Sequence, residues 1–342
     1  MDHLPTVTIE KCLNVDSPEH DAVVLVAQDP FALTEELRAL QPCLQAYSEV
    51  VKKFDTGVHL LHCDKLPSRR LLVSLTGPLD RDYDDVRRIT EATKEGVLQA
   101  VKVGSTKPLL ALTFPTSVTT LHSKWAKPEY LCLATVLAAL GALYVPLEVR
   151  EFSECPRPEP LKPVKSFKAE RLGWLAQSSH AVDHDQLIHL AWCIEEGRRV
   201  ARDIGGSDPE RMCPSKIVSY LKVELSGDDV LLDAQPVHKE LYPLAAVVDR
   251  GTPRDQKRSD LELQNLFLVG KGIVYDSGGH DLKVGGNMVT MHRDKCGAAA
   301  VAGFFKVLSL LKPSNINVSS TFTNSAETQI SPPTISLMQT QG

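Results

Sequence analysis

The segment Leu266–Ala300 reads LFLVGKGIVYDSGGHDLKVGGNMVTMHRDKCGAAA. Its first residues, Leu266–Val269, form an apolar run that predicts a strand. Glycine-rich turns follow, and from Cys296 the run CGAAAVAGFFKVLSLL predicts a helix to Leu311. Small residues let such a helix lie close against a sheet, so it is expected to be buried. Strand, glycine-rich turns and buried helix together make a unit of an α/β layer.

Outward from this block the same alternation continues. Downstream, Asn315–Thr323 reads as one more strand, and the remainder is polar with Pro332-Pro333. Upstream, Leu244–Val248 is a strand candidate, and Pro214 can open a helix carrying Ile217, Leu221 and Leu225. A longer helix is expected from about Asp185, with Leu187, Leu190, Ala191, Ile194 and Ala201 on one stripe and a stop near Gly205-Gly206. Before it, CPRPEPLKPVK (Cys155–Lys165) has four prolines in eleven residues, a density that opposes helix and central strand. The expected organisation is an N-terminal α/β domain over 1–154, a linker over 155–184 and a second α/β domain over 185–342. Both are expected to be of the three-layer type.

In the first half, Asp21–Asp29, Gly57–Cys63, Leu71–Gly77 and Pro108–Pro115 are short apolar runs that suit buried strands. Asp84–Val103 carries Val86, Ile89, Val97 and Val101 at near-helical spacing. A largely parallel sheet is expected. Tyr130–Val145 is uncharged but short for a membrane span, and Gly141 and Pro146 favour a buried helix running into a strand.

The chain has 342 residues, 43% hydrophobic and 24% charged, the balance of a globular protein with sizeable cores. A net charge of −5 without a long basic run argues against a nucleic-acid partner. The first residues, MDHLPTVTIEK, lack the pattern of a signal peptide. Eight scattered cysteines with no C-x-x-C pair read as reduced thiols, and a cytoplasmic location is expected, with no membrane partner.

Chemistry concentrates in the opening block, where Lys271, Asp276, Lys283 and Asp294 lie among glycine turns. Carboxylates at strand ends can converge on a cation because glycine permits close backbone approach. A lysine held neutral by desolvation could join them, and one kept protonated could stabilise an oxyanion. The dinucleotide fingerprint begun at Gly270 fails where Tyr275 stands, and neither a phosphate loop nor H-E-x-x-H occurs. His180, His184 and His189 do not share one helical face and read as surface or cap residues.

VGKGIVYDSGG, a lysine, N-M, then a methionine and an aspartate before a small-residue helix together resemble the signature of the leucine aminopeptidase family. The match is gapless through this block and extends upstream to about Ala191, more weakly through the first half. The resemblance implies an aminopeptidase lineage that releases N-terminal residues from peptides by hydrolysis assisted by two divalent ions. Zinc is implied, with manganese or magnesium exchangeable at one position. It makes Lys271, Asp276 and Asp294 metal ligands, with Asp276 reaching toward the second ion. Lys283 becomes the electrophilic lysine and Met291 a residue lining the substrate pocket. Lys283, Asp276 and Asp294 are also implied to face the substrate. The implied partners are peptides with a free N-terminus and other copies of the chain, as a hexamer.

Two departures from the family pattern stand out. His280-Asp281, His292-Arg293 and Lys295-Cys296 differ from its usual residues. After Asp294 the only acidic residue is Glu327 and there is no arginine, so the later N-T-D-A-E-G-R motif is missing. The chain is therefore expected to be a shortened, incomplete member that holds one ion well and the second poorly, with collapsed activity. The alternative expectation is a non-catalytic metal-binding or regulatory subunit of the same family.

Overall fold

The computed structural model describes residues 7–339 apart from 80, 115–126, 155–164, 179–180, 227–229, 237–263, 279–280, 314–315 and 327–332. The strand expected at Leu244–Val248 lies outside the described residues. Two compact units are present: one comprises Asp2–Val145 with Val149–Glu195, the other chiefly Glu196–Gly342 with Pro146–Glu148.

The first unit is built on six strands: β1 (Thr8–Cys12), β2 (Ala22–Ala27), β3 (Gly57–His62), β4 (Arg70–Leu75), β5 (Pro108–Leu112) and β6 (Arg171–Leu175). Their order is β1-β6-β5-β2-β4-β3. All neighbours are parallel except β3, which runs antiparallel to β4. The central strand β2, AVVLVA, is buried at every residue, as a strand covered on both faces must be. Its pleat divides the core. Ala22, Val24 and Val26 face one cluster with α2 (Arg87–Lys102) and α3 (Pro128–Leu143). Val23, Leu25 and Ala27 face another with Leu37, Leu40 and Leu44, from a 3-10 turn and α1 (Gln41–Val50). Helices on both faces make three layers. β6 falls within the proline-bounded stretch 155–184, where Leu172 and Trp174 pack into the core.

The strand expected after Tyr130–Val145 is instead a helix, α4 (Leu147–Glu154). Pro146 immediately precedes it, and a proline there costs no helical hydrogen bond because the first N–H groups have no partner anyway.

The second unit holds the end of α5 (His184–Gly206), α6 (Pro214–Glu224), α7 (Cys296–Leu311) and strands β7 (Val230–Pro236), β8 (Gln264–Tyr275), β9 (Ile316–Ala326) and β10 (Pro333–Gln339). The sheet order is β7-β10-β9-β8, with β8 parallel to β9 and the other pairs antiparallel. β10 lies where a polar tail was expected. Ala298, Ala302 and Phe305 of α7 share a core with Val200, Ile204, Ile217, Leu221, Val318 and Leu268.

The α5–α6–α7 contact also buries charge. The Arg199 guanidinium donates to both Glu224 carboxylate oxygens at 2.6 and 2.8 Å, to Glu196 at 2.9 Å and to Asp203 at 3.2 Å. Tyr220 Oη donates to Asp203 at 2.7 Å, and Lys306 Nζ donates to the Glu224 carbonyl at 2.6 Å. Burial opposes the charge on Arg199, but the Glu224 carboxylate outweighs it and holds the guanidinium protonated.

Among the described residues no single helix is long and apolar enough to cross a membrane, though the bent pair Pro128–Leu143 and Leu147–Ser153 passes by length and composition. The seven described cysteines are free thiols.

Candidate functional site

Strand β8 and helix α7 meet almost backbone to backbone. A Cβ on Gly270 would lie 2.5 Å from the Gly297 carbonyl oxygen, and one on Gly297 would lie 2.7 Å from the Lys271 amide nitrogen. No side chain fits between them, so glycine at both positions lets the strand approach the first turn of the helix. Lys271 on β8 and Asp294, two residues before α7, are brought together as a result. Lys271 Nζ lies 2.8 Å from Asp294 Oδ2. That oxygen is buried and lacks an aligned hydrogen-bond partner, so the contact is an ion pair rather than a directed hydrogen bond.

Beyond Tyr275 the chain turns through Asp276-Ser277-Gly278. Gly278 has φ +89°, a left-handed conformation suited to glycine, and an added Cβ would strike the Asp281 carbonyl oxygen at 2.4 Å. The Lys283 amide donates to the Ser277 carbonyl at 2.9 Å, closing the loop. Lys283 then folds back: its Nζ donates to Asp276 Oδ2 and reaches Met291 Sδ at 3.3 Å. Asp276 Oδ1 accepts from the Gly278 amide at 2.9 Å. The Lys283 hydrogen bond, helped by that amide and by the charge of Lys271, lowers the Asp276 pKa. Tyr275 Oη donates to the Met288 carbonyl at 3.3 Å, tying the following loop to the strand end.

All five sequence-predicted residues therefore fall in one cluster. Lys271 pairs with Asp294, while Lys283 joins Asp276 to Met291; the Lys271 side chain is 60% exposed and the other charged ones less than a third. Leu282, Val284 and Val289 stand exposed on the same loops. His184 is not a free surface group. Trp174 Nε1 donates to its Nδ1 at 3.1 Å, which leaves Nε2 to donate to the Gln177 carbonyl at 3.1 Å.

Two residues near the site, Tyr275 and Lys295, were given no role from the sequence. Tyr275 carries no signal beyond ending a strand. Lys295 has one in hindsight, a lysine at the foot of an otherwise apolar helix. Burial lowers its pKa, and it is fully enclosed.

The donor set suits a divalent ion in part. Two carboxylates and one amine offer oxygen and nitrogen donors, and the buried Asp294 Oδ2 lacks a directed partner. Among the described residues no three His, Cys, Asp or Glu side chains converge on a point, so a site here needs Lys271 as a neutral ligand.

Comparison with known proteins agrees with this picture. The α/β architecture is that of solved leucine aminopeptidases. A tomato leucine aminopeptidase mutant aligns with a TM-score of 0.63 at 18% identity, over 96% of this chain and 64% of that one. The bottromycin maturation enzyme BotP in complex with Mn aligns with a TM-score of 0.60 at 18% identity, over 90% and 60%. Residues 199–335 match the model of the cytosol aminopeptidase family, catalytic domain. A Caenorhabditis elegans protein assigned by name to the aminopeptidases is 32% identical over 333 residues, 92% of this chain and 60% of that protein. A Chlamydia trachomatis protein assigned as a cytosol aminopeptidase is 33% identical over 145 residues, 39% of this chain and 29% of the relative. The matched residues 199–335 are thus those of the cytosol aminopeptidase family, also called the leucine aminopeptidase family, and the rest of the chain resembles the C. elegans relative. It spans about 60% of the length of the C. elegans relative.

Proposed function

We propose that this chain is a metal-dependent member of an aminopeptidase lineage acting on the free N-termini of peptides. The observations that carry the reading are two sets of contacts along and beyond β8, Lys271 with Asp294 and Lys283 with both Asp276 and Met291. The family match supports it, as does the manganese in the BotP structure. Lys271, Asp276 and Asp294 would hold one divalent ion, zinc or manganese. A second ion would share Asp276 and needs ligands beyond these. Such ions supply Lewis-acid polarisation of a carbonyl and activation of water.

The chain's own residues supply the rest. Asp276 holds the Lys283 amine at the site by a hydrogen bond, and the amine's N–H groups can stabilise the oxygen of a tetrahedral intermediate. The Met291 thioether, beside that amine, offers an adaptable apolar wall for the first side chain of a peptide. The proposed location is the cytoplasm, and self-association into a hexamer is the proposed assembly. The proposed domain organisation is an N-terminal α/β domain, a proline-rich linker and the peptidase domain.

A second reading, a metal-binding regulatory subunit without turnover, is favoured by the same donor set, since two carboxylates and a lysine would suffice for one ion at most. Titrating manganese or zinc into the purified chain tests both. One ion per chain is expected, with Asp276→Asn and Asp294→Asn each abolishing uptake; no binding by the unmodified chain overturns the proposal. Leucine-amide hydrolysis measured alongside separates the readings. Metal-dependent turnover that disappears in Lys283→Ala marks an enzyme, and uptake without turnover marks the regulatory subunit.

A further inference from the structure

Lys295 is among the largest fully buried side chains of the molecule, with 0% exposure. Enclosing an ammonium costs several kcal/mol unless its donors are satisfied. Here two backbone carbonyls accept two of its three N–H donors: Nζ donates to Ser207 O at 2.8 Å and to His292 O. Among the described residues no carboxylate pairs with it directly, and Asp208 and Glu148 act only from a distance.

The two carbonyls belong to different elements. Ser207 immediately follows α5, where the last carbonyls lack helical partners and a cation is favoured. His292 lies in the 3-10 turn Met291–Arg293, just before Asp294. That turn is entered through Thr290 at φ +70°, a left-handed conformation that a β-branched residue rarely adopts. Its own bonds are Arg293 N to Thr290 O at 2.9 Å and Asp294 N to Met291 O at 3.2 Å. A turn entered through strain needs an outside hold to persist.

We infer that Lys295 is a positioning residue for Asp294, its enclosed ammonium clasping the Thr290–Asp294 turn to the end of α5. The clasp makes Asp294 a preset ligand rather than a mobile loop carboxylate. Its consequence for metal rests on the proposed function, but the clasp itself does not.

The test compares Lys295→Met with Lys306→Met, which removes another buried ammonium from α7, one that donates to Glu224 O. Amide hydrogen exchange and manganese titration are read on both. Lys295→Met is expected to speed exchange at Arg293 and Asp294 by about tenfold or more and to weaken manganese binding about tenfold, the scale of losing an outer-shell support. Lys306→Met is expected to change neither. Unchanged exchange in Lys295→Met, or equal acceleration in Lys306→Met, overturns the inference. Faster exchange confined to Lys295→Met in a chain that takes up no manganese leaves the clasp standing and removes the metal reading. Should Lys295→Met not fold, Lys295→Gln takes its place. Its shorter amide cannot span both carbonyls, and exchange indistinguishable from the unmodified chain then overturns the inference.

Discussion

Gly270 and Gly297 decide whether Lys271 and Asp294 can meet. Gly270→Ala would press a methyl group against the Gly297 backbone carbonyl at 2.5 Å, which no rotamer change relieves. The expected loss is about 1–3 kcal/mol of stability, the usual range for overpacking, together with weakened manganese uptake. Gly285→Ala is the control. Gly285 has φ +66° and nothing within 4 Å of an added Cβ, so only a backbone cost of about 1 kcal/mol is expected, with metal uptake kept. Urea melts and manganese titrations of both variants check this, and equal effects on uptake would remove the close-approach argument. At this scale the charged members of the cluster were legible, because lysines and aspartates between glycine turns are conspicuous in sequence. Lys295 was not, because a lysine looks the same in a string whether it is solvated or enclosed.

Helices were the most legible elements. The stripes of α2, α5 and α6 repeat near 3.6 residues, and the small-residue run of α7 declares its burial. Strands β1, β6, β7 and β10 were not read. TIEKC carries two charges, RLGWL is short with a central glycine, and PTISLMQ opens on proline. Each is a strand because neighbours pair with it, not because its own pattern is strong. The buried ions joining α5 to α6 were hidden for a related reason: Arg199 and Glu224 are 25 residues apart and meet only when the helices pack. Breaking a buried pair leaves an uncompensated charge, so Arg199→Met is expected to cost about 3–5 kcal/mol. Glu224→Gln, which keeps an acceptor, should cost less. Urea denaturation of the two variants measures the order, and the reverse order would mean the network is not held together by charge.

Across the whole molecule, acid sensitivity should reside partly in the first unit. Burial alone would raise the pKa of Glu36, but hydrogen bonds from the Ser178 hydroxyl and amide outweigh it and bring it to about 2. Hydrogen bonds from Arg81, assisted by Arg88, hold Asp84 to about 2 as well. Both folded values lie below the ordinary carboxylate range near 4. Their stabilisation is therefore present above about pH 4 and is lost as pH falls toward 2. A Glu36→Gln, Asp84→Asn double variant should be less stable than the unmodified chain at pH 6, with the gap closing as pH approaches 2. Denaturant midpoints across that range test it, and a gap independent of pH would contradict it.

By itself the sequence determined the α/β alternation and the likeness to the family, and it named the residues proposed to carry chemistry, since these follow from local patterns of polarity and from a contiguous motif. Tertiary structure alone decided that the weak strands pair, that Arg199 and Lys295 are enclosed, and that Lys271 reaches Asp294 across a glycine contact. The division has a physical reason. Periodicity and motif spacing are properties of neighbours along the chain, whereas burial and charge pairing depend on groups far apart in sequence that meet only in the packed fold.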